Sequence, residues 1–132
     1  MVKIIMIVDD QKSVHALLGS YFETYFKSSD SEGKSMPQII GAEDGEQAWR
    51  FLAEGIAPNL MIIGHQMPQM DGIWLINKIQ AEPQQFEAKI VLFSGNPLSR
   101  QARPTGCFFV RKGMLNERKI LKLAVEMGIF AA

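Results

Sequence analysis

Five mainly apolar runs divide the chain, and each is followed by a polar bend. They cover residues 3–8, 38–42, 60–63, 89–93 and 107–110. Runs that are apolar on both faces are typical of strands in a parallel sheet that helices cover on both sides. We therefore predict five β-strands at these positions.

Between the predicted strands, apolar residues recur at intervals of three and four, which predicts helices. The segments with this spacing are residues 13–25, 46–54, 73–80 and 115–127. The connection over residues 96–106 contains Pro97 and Pro104 and few apolar residues. We expect at most one or two helical turns there, because proline interrupts a helix interior.

Strands that alternate with helices predict an α/β fold in which helices cover both faces of a parallel sheet. At this size the common strand order is 2-1-3-4-5, which leaves a crevice beside the ends of the first and third strands. We predict a flavodoxin-like, three-layer, doubly wound single domain over residues 1–132, with a short or degenerate fourth helix.

Composition narrows the classes of partner. Fourteen basic and fourteen acidic residues cancel, so the net charge favours neither nucleic acid nor an anionic membrane as a partner. The single cysteine, Cys107, excludes an internal disulfide. The apolar runs are too short for a membrane span or for a signal-peptide core. We expect a cytoplasmic protein.

Each predicted strand ends in a short motif of polar and turn residues. In chain order these are Asp9-Asp10, Asp44-Gly45, Met67-Pro68 with Asp71-Gly72, Ser94-Gly95 and Arg111-Lys112. Together they resemble the receiver domain of bacterial response regulators, over essentially the whole chain. One such motif is weak evidence, but five in this order, each at a strand end, favour that family.

The resemblance implies a phosphorylation site at the ends of the strands. In the family an acidic pair binds Mg²⁺, an aspartate after the third strand accepts a phosphoryl group, and a hydroxyl residue and a lysine contact its oxygens. This division of labour suits phosphoryl transfer, which needs a nucleophile, a divalent cation and donors for the oxygens. By match, the acidic pair is Asp9 and Asp10, the hydroxyl residue is Ser94, and the lysine is Lys112. Gln66 would give Mg²⁺ its backbone carbonyl.

The acceptor position in this chain is Gly64, three residues before the Met-Pro pair. Glycine has no side chain, so it can be neither a nucleophile nor a metal ligand. The neighbouring His65 is expected to point away from the site, and Asp71 is expected to lie too far from it. We therefore predict a degenerate phosphorylation site with no catalytic residue, and with weak or absent Mg²⁺ binding.

Two readings of the acidic pair stay open. Asp9 and Asp10 could still hold Mg²⁺ weakly, or one of them could pair permanently with Lys112 across the crevice. We favour the permanent pair, because it neutralises a site that has lost its third carboxylate. For Ser94, which has no phosphate to contact, we expect a role in a turn or cap.

Two aromatic residues are candidates for a partner surface. Trp74 falls on the face of its helix opposite the apolar stripe formed by Ile73, Ile76 and Ile79, and an exposed tryptophan can anchor a partner. The alternative is that Trp74 folds over the loop at residues 67–70. Phe109 occupies the position of the family's switching aromatic residue, but it has no hydroxyl and could simply pack.

These observations predict a receiver-like signalling domain that is not phosphorylated at the usual site and has no enzymatic activity. It would act through a protein partner in a two-component pathway, either a histidine kinase or a downstream regulator. The alternative is a phosphorylatable response regulator that uses Mg²⁺ and a non-standard acceptor, or an ordinary receiver into which Gly64 was engineered.

Overall fold

Five parallel strands form a single sheet. A computed structural model describes residues 3–67, 71–82, 86–95, 98–99, 101–114 and 116–130. The strands are β1 (Ile4–Val8), β2 (Gln38–Ala42), β3 (Leu60–Gly64), β4 (Lys89–Ser94) and β5 (Phe108–Arg111). Their order across the sheet is β2-β1-β3-β4-β5, so the predicted topology and flavodoxin-like fold class are confirmed.

The register of the strands brings their carboxyl ends to one edge. Val8 of β1 pairs with Ile63 of β3, and Gly64 at the end of β3 pairs with Phe93 of β4. Asp9 follows β1 directly and Ser94 ends β4. The polar residues that the sequence places after different strands therefore lie side by side, as expected at the end of a parallel sheet.

Four α-helices are present in the described part of the chain. They are α1 (Lys12–Phe26), α2 (Gly45–Ala53), α3 (Gly72–Gln80) and α4 (Glu117–Glu126). The last three begin at side-chain caps, because Asp44, Asp71 and Asn116 each accept a hydrogen bond from the backbone N–H three residues later. Such caps satisfy N–H groups that the helix itself leaves unpaired.

The connection between β4 and β5 contains turns but no helix among its described residues, 95, 98–99 and 101–107. The backbone N–H of Ala102 donates to the carbonyl of Ser99 at 3.1 Å, which closes one turn. The predicted short or degenerate fourth helix is thus confirmed for these residues, and Pro97 lies outside them. The sequence prediction also began the last helix two residues early, since the cap is Asn116.

Two apolar layers hold the helices to the sheet. Helices α1 and α4 cover one face, where Phe130 is buried against the rings of Phe22, Tyr25 and Phe26 at centroid distances of 5.0–6.0 Å. Helices α2 and α3 cover the other face. Within the described residues, none of the helices has the length and apolar character needed to cross a membrane.

Candidate functional site

Asp9 and Gly64 meet at the carboxyl edge of the sheet. Asp9 is only 2% exposed, and its Oδ1 accepts a hydrogen bond from the backbone N–H of Gln11 at 2.7 Å. A Cβ atom built on Gly64 would overlap Oδ2 of Asp9 and would lie 3.5 Å from Cζ of Phe93. The Asp9 carboxylate therefore occupies the space where any side chain at position 64 would begin.

The environment of Asp9 shifts the pKa of its carboxyl group upward. Burial raises the pKa of the Asp9 carboxyl above its usual value of 3.8, and the charge of Asp10 adds to this effect. The hydrogen bond from Gln11 and the positive charges of Lys112 and His15 lower the pKa, but they do not outweigh the loss of solvation.

Lys112 does not form the permanent ion pair that the sequence analysis favoured. Its Nζ donates to Oε1 of Gln11 at 2.9 Å, and it contacts neither Asp9 nor Asp10 as an ion pair. The only ion pair among the described residues joins Lys27 to Glu23. Within the described residues the expected permanent pair is therefore not formed, and Gln11 is the acceptor for the lysine.

His65 lies beside Ser94, which also corrects the prediction that its side chain points away from the site. Nδ1 of His65 is 3.0 Å from Oγ of Ser94, and Ser94 is 2% exposed. The backbone N–H of His65 donates to the carbonyl of Phe93 at 2.9 Å. Residue 65 therefore stays hydrogen-bonded to β4, although β3 ends at Gly64. Ser94 thus orients a side chain within the site as well as ending a strand.

Gly64 and Gly72 lie in close backbone contact. The backbone N–H of Gly72 donates to the carbonyl of His65 at 2.8 Å, and a Cβ atom on Gly72 would overlap the carbonyl oxygen of Gly64. Asp71 is engaged as the cap of α3, where it accepts from the backbone N–H of Trp74 at 2.9 Å. Its role in this structure is to start a helix.

Comparison with known proteins shows the family to which this chain belongs. The family model described as "Response regulator receiver domain" matches residues 5–103. The chain belongs to the response regulator receiver family. It is 34% identical over 94 residues to the response regulator GtcR of Aneurinibacillus migulanus, a match that covers 71% of this chain and 33% of the relative. The chain therefore spans about a third of the length of that protein.

Solved structures share the same fold. A CheY-like receiver domain protein from Methanospirillum hungatei JF-1 is 26% identical with a TM-score of 0.69, covering 96% of this chain and 94% of the other. The response regulator TrrA of Thermotoga maritima, solved with Mg²⁺ and BeF, is 23% identical with a TM-score of 0.74, covering 96% and 99%. These likenesses and the family match establish a receiver domain of two-component signalling.

The acidic residues of this receiver do not fit a resident Mg²⁺ ion. Mg²⁺ prefers hard oxygen ligands in octahedral geometry. Oδ1 of Asp9 is already bound to an N–H, and Oδ2 lies against Gly64, which leaves the exposed Asp10 and the backbone carbonyl of Gln66. Within the described residues, no group of three or more His, Cys, Asp or Glu side chains lies close enough together to hold a metal ion.

Trp74 is partly enclosed by its neighbours. It is half-buried against the α2–α3 layer, and Nζ of Lys78 lies 4.9 Å from the centroid of its ring and 4.8 Å from that of Trp49. The alternative contact with the loop after β3 falls partly on residues 68–70, which lie outside the described residues.

Phe109 is also half-buried, and the guanidinium carbon of Arg103 sits 4.3 Å from the centroid of its ring. The ring therefore packs between the sheet and an arginine, as the simpler reading of the sequence expected. Both aromatic residues belong to the apolar layer on the α2–α3 face of the sheet.

The sequence analysis missed the His65–Ser94 contact, although a signal for it was present. Because β3 and β4 are parallel and Gly64 pairs with Phe93, the next residues along each strand are neighbours. Register alone would have placed His65 next to Ser94. Strand periodicity suggested that the His65 side chain points away from the site, but this alternation no longer applies after β3 ends.

Proposed function

We propose that this receiver signals through contact with a protein partner and carries no acyl phosphate at position 64. The observation that carries this proposal is the position of the Asp9 carboxylate. Its Oδ2 lies where the Cβ of an acceptor aspartate would stand, so the site lacks the nucleophile and the Asp9 carboxylate fills the position. Acyl phosphate formation needs a carboxylate nucleophile there.

The proposed partner is a protein of a two-component pathway, either a histidine kinase or a downstream regulator. Equal numbers of acidic and basic residues support a protein rather than nucleic acid or a membrane surface. We propose a cytoplasmic location and no enzymatic activity, since receiver domains serve as signalling modules. Trp74 and Phe109 are proposed to lie at the partner surface, because both are partly exposed aromatic residues on one face of the domain.

The absence of acyl phosphate is tested with a small phosphodonor. The purified chain is incubated with acetyl phosphate and Mg²⁺, and its intact mass is measured before and after mild alkaline treatment, which hydrolyses acyl phosphates. We expect no alkali-labile adduct. A stoichiometric adduct that alkali removes would refute the proposal.

The partner surface is tested by affinity capture with the wild-type chain and with Trp74→Ala. We expect Trp74→Ala to lose the partner, whereas Met36→Ala, an exposed apolar residue elsewhere on the domain, retains it. Equal capture by all three proteins would show that Trp74 is not an anchor.

A further inference from the structure

One edge of the sheet is open. β2 lies at the end of the strand order and is paired with β1. The backbone N–H of Gln38 donates to the carbonyl of Lys3, so the backbone of residue 38 is directed toward β1. Because this direction alternates from one residue to the next along a parallel strand, the N–H and C=O groups of Ile39 and Gly41 point outward. Within the described residues, these outward groups have no hydrogen-bond partner.

The open edge carries none of the features that usually keep an edge strand single. Proteins protect such edges with charged side chains, proline, bulges or a covering element. β2 has the sequence Gln-Ile-Ile-Gly-Ala, which is uncharged and contains no proline. Pro37 comes immediately before the strand and limits pairing to the residues that follow it, because proline has no N–H group to donate. The edge of β2 is therefore a template for a further strand.

Helix α1 stands back from this edge. A groove of about 530 Å³ separates α1 from β2. Its helix side includes the small residues Ala16, Gly19 and Ser20, and Ile39 lines it from the strand. A Cβ atom on Gly19 would meet nothing within 4 Å. The helix thus leaves space beside the outward backbone groups of β2.

Ile40 is an apolar side chain that the core does not absorb. It is only partly buried, and within the described residues it belongs to neither of the two apolar layers. It is paired in register with Met6 of β1, which lies in the α2–α3 layer, so Ile40 is on that face of the sheet. A partly exposed isoleucine in the middle of an open edge strand gains free energy from contact with another apolar side chain.

The strand is complementary to a second copy of itself. When two β2 strands pair antiparallel about a two-fold axis through Ile40, Ile39 of each copy lies opposite Gly41 of the other. Alternate opposite residues in an antiparallel pair exchange both backbone hydrogen bonds, and the outward groups of Ile39 and Gly41 supply them. The two Ile40 side chains then meet at the centre, in the closely spaced pair that has no hydrogen bonds.

Charge also favours an antiparallel second copy. Because β2 is uncharged, this pairing brings no like charges together between the strands. Lys34 precedes the strand and Glu43 follows it directly, and neither side chain is in an ion pair among the described residues. Antiparallel pairing places the end of one strand beside the start of the other, so side chains of opposite charge flank the paired strands at both ends.

We propose that β2 is a self-association edge through which two copies of this receiver form an antiparallel, two-fold symmetric dimer. The two sheets become one continuous sheet. Because the two-fold axis is perpendicular to that sheet, helices α2 and α3 of both copies lie on the same side. The dimer presents a partner of that face with two equivalent sites, which strengthens binding through avidity. This consequence rests on the partner surface proposed above, whereas the dimer itself does not.

The test is sedimentation velocity of the purified chain over a range of concentrations. We expect a reversible dimer with a dissociation constant on the order of 100 µM, because a single pair of edge strands is smaller than a standard interface. Ile40→Lys and Ile40→Glu each place like charges directly opposite each other, so each alone should raise this constant about tenfold or more. An equimolar mixture of the two variants should dimerise again, because the central pair then has opposite charges.

The matched control is Phe108→Lys. Phe108 is 51% exposed on β5, the strand at the opposite edge of the sheet, so this variant should dimerise like wild type. Amide hydrogen exchange of the wild-type chain gives a second measurement that needs no variant. As the protein concentration rises, the N–H groups of Ile39 and Gly41 should exchange more slowly, whereas that of Ile40, which is directed toward β1, should change little.

A wild-type chain that stays monomeric at about 1 mM, roughly ten times the expected dissociation constant, would overturn the proposal. A dimer that Ile40→Lys retains, or folded charged variants whose mixture stays monomeric, would also overturn it. If a charged variant does not fold, exchange at Ile39 and Gly41 that is independent of concentration would do so. Trp74→Ala should dimerise like wild type, so failure of the dimer and failure of the proposed partner surface are distinguishable.

Discussion

The contact between Asp9 and Gly64 makes a stability prediction that can be worked out from the structure. The Cβ atom introduced by Gly64→Ala would overlap Oδ2 of Asp9 and approach its Cγ to 3.4 Å. The obstructing atom is the end of a side chain, so the carboxylate must swing away. Its displacement breaks the 2.7 Å hydrogen bond from the backbone N–H of Gln11.

The magnitude follows from two costs and one gain. Overfilling a packed site costs about 1–3 kcal/mol, and loss of a hydrogen bond to a charged group costs about 1.5–3 kcal/mol, part of which solvent returns as the carboxylate moves outward. Replacing glycine by alanine at an ordinary backbone conformation stabilises by about 0.4–1 kcal/mol. We expect Gly64→Ala to lower the free energy of unfolding by about 1–2 kcal/mol.

Two other glycines supply matched controls. A Cβ on Gly72 would overlap the backbone oxygen of Gly64 and lie 2.9 Å from Cγ2 of Ile63, and backbone cannot swing away, so Gly72→Ala should cost about 3 kcal/mol. A Cβ on Gly19 in α1 would meet nothing within 4 Å, so Gly19→Ala should stabilise the protein by about 0.5–1 kcal/mol.

The assay is urea unfolding followed by tryptophan fluorescence, with free energies compared at equal m-values. From most to least stable, the order should be Gly19→Ala, wild type, Gly64→Ala and Gly72→Ala. If Gly64→Ala were as stable as Gly19→Ala, the Asp9 carboxylate could not lie beneath residue 64, and the reasoning on the occupied acceptor position would be refuted.

Three further predictions concern the same site and the α2–α3 face. Burial raises the pKa of Asp9, so the wild-type protein loses stability as that carboxyl ionises above pH 3.8. The Asp9→Asn protein should therefore become more stable relative to wild type as pH rises above 3.8. Urea unfolding at several pH values measures this, and a difference in unfolding free energy that stays constant with pH would contradict it. Lys78→Met should lower the free energy of unfolding by about 1 kcal/mol, because it removes two cation–π contacts. Thermal unfolding measures this loss, and Lys122→Met on α4 is the control that should show none. In Gly64→Asp, the new side chain can bind beryllofluoride and Mg²⁺ only if the Asp9 carboxylate moves away. Because that movement costs free energy, calorimetry should show weak binding at most.

Much of the fold could be predicted from the sequence because its signals are local. A run such as residues 60–63 is apolar on both faces, and only a central strand covered on both sides buries it completely. The Pro97 and Pro104 positions likewise predicted a connection without a full helix. The assignment of Gly64 to the acceptor position rests on motif spacing alone, and it stays a prediction.

The contacts within the site could not be predicted in the same way. Strand periodicity assigns a face to each residue, but it does not give the rotamer of Asp9 beyond the end of β1 or the direction of His65 beyond the end of β3. The partner of Lys112 is also undetermined by sequence, since a long flexible side chain can reach several acceptors. In the structure Lys112 donates to Gln11, whose backbone N–H in turn donates to Oδ1 of Asp9.

The central claim is that this receiver carries no acyl phosphate at position 64, and the intact mass of the chain tests it most directly. Wild-type protein and an ordinary phosphorylatable receiver are incubated side by side with acetyl phosphate and Mg²⁺, then split into alkali-treated and untreated samples. The account predicts an alkali-labile adduct on the ordinary receiver and none on this chain. A stoichiometric alkali-labile adduct on this chain would contradict it.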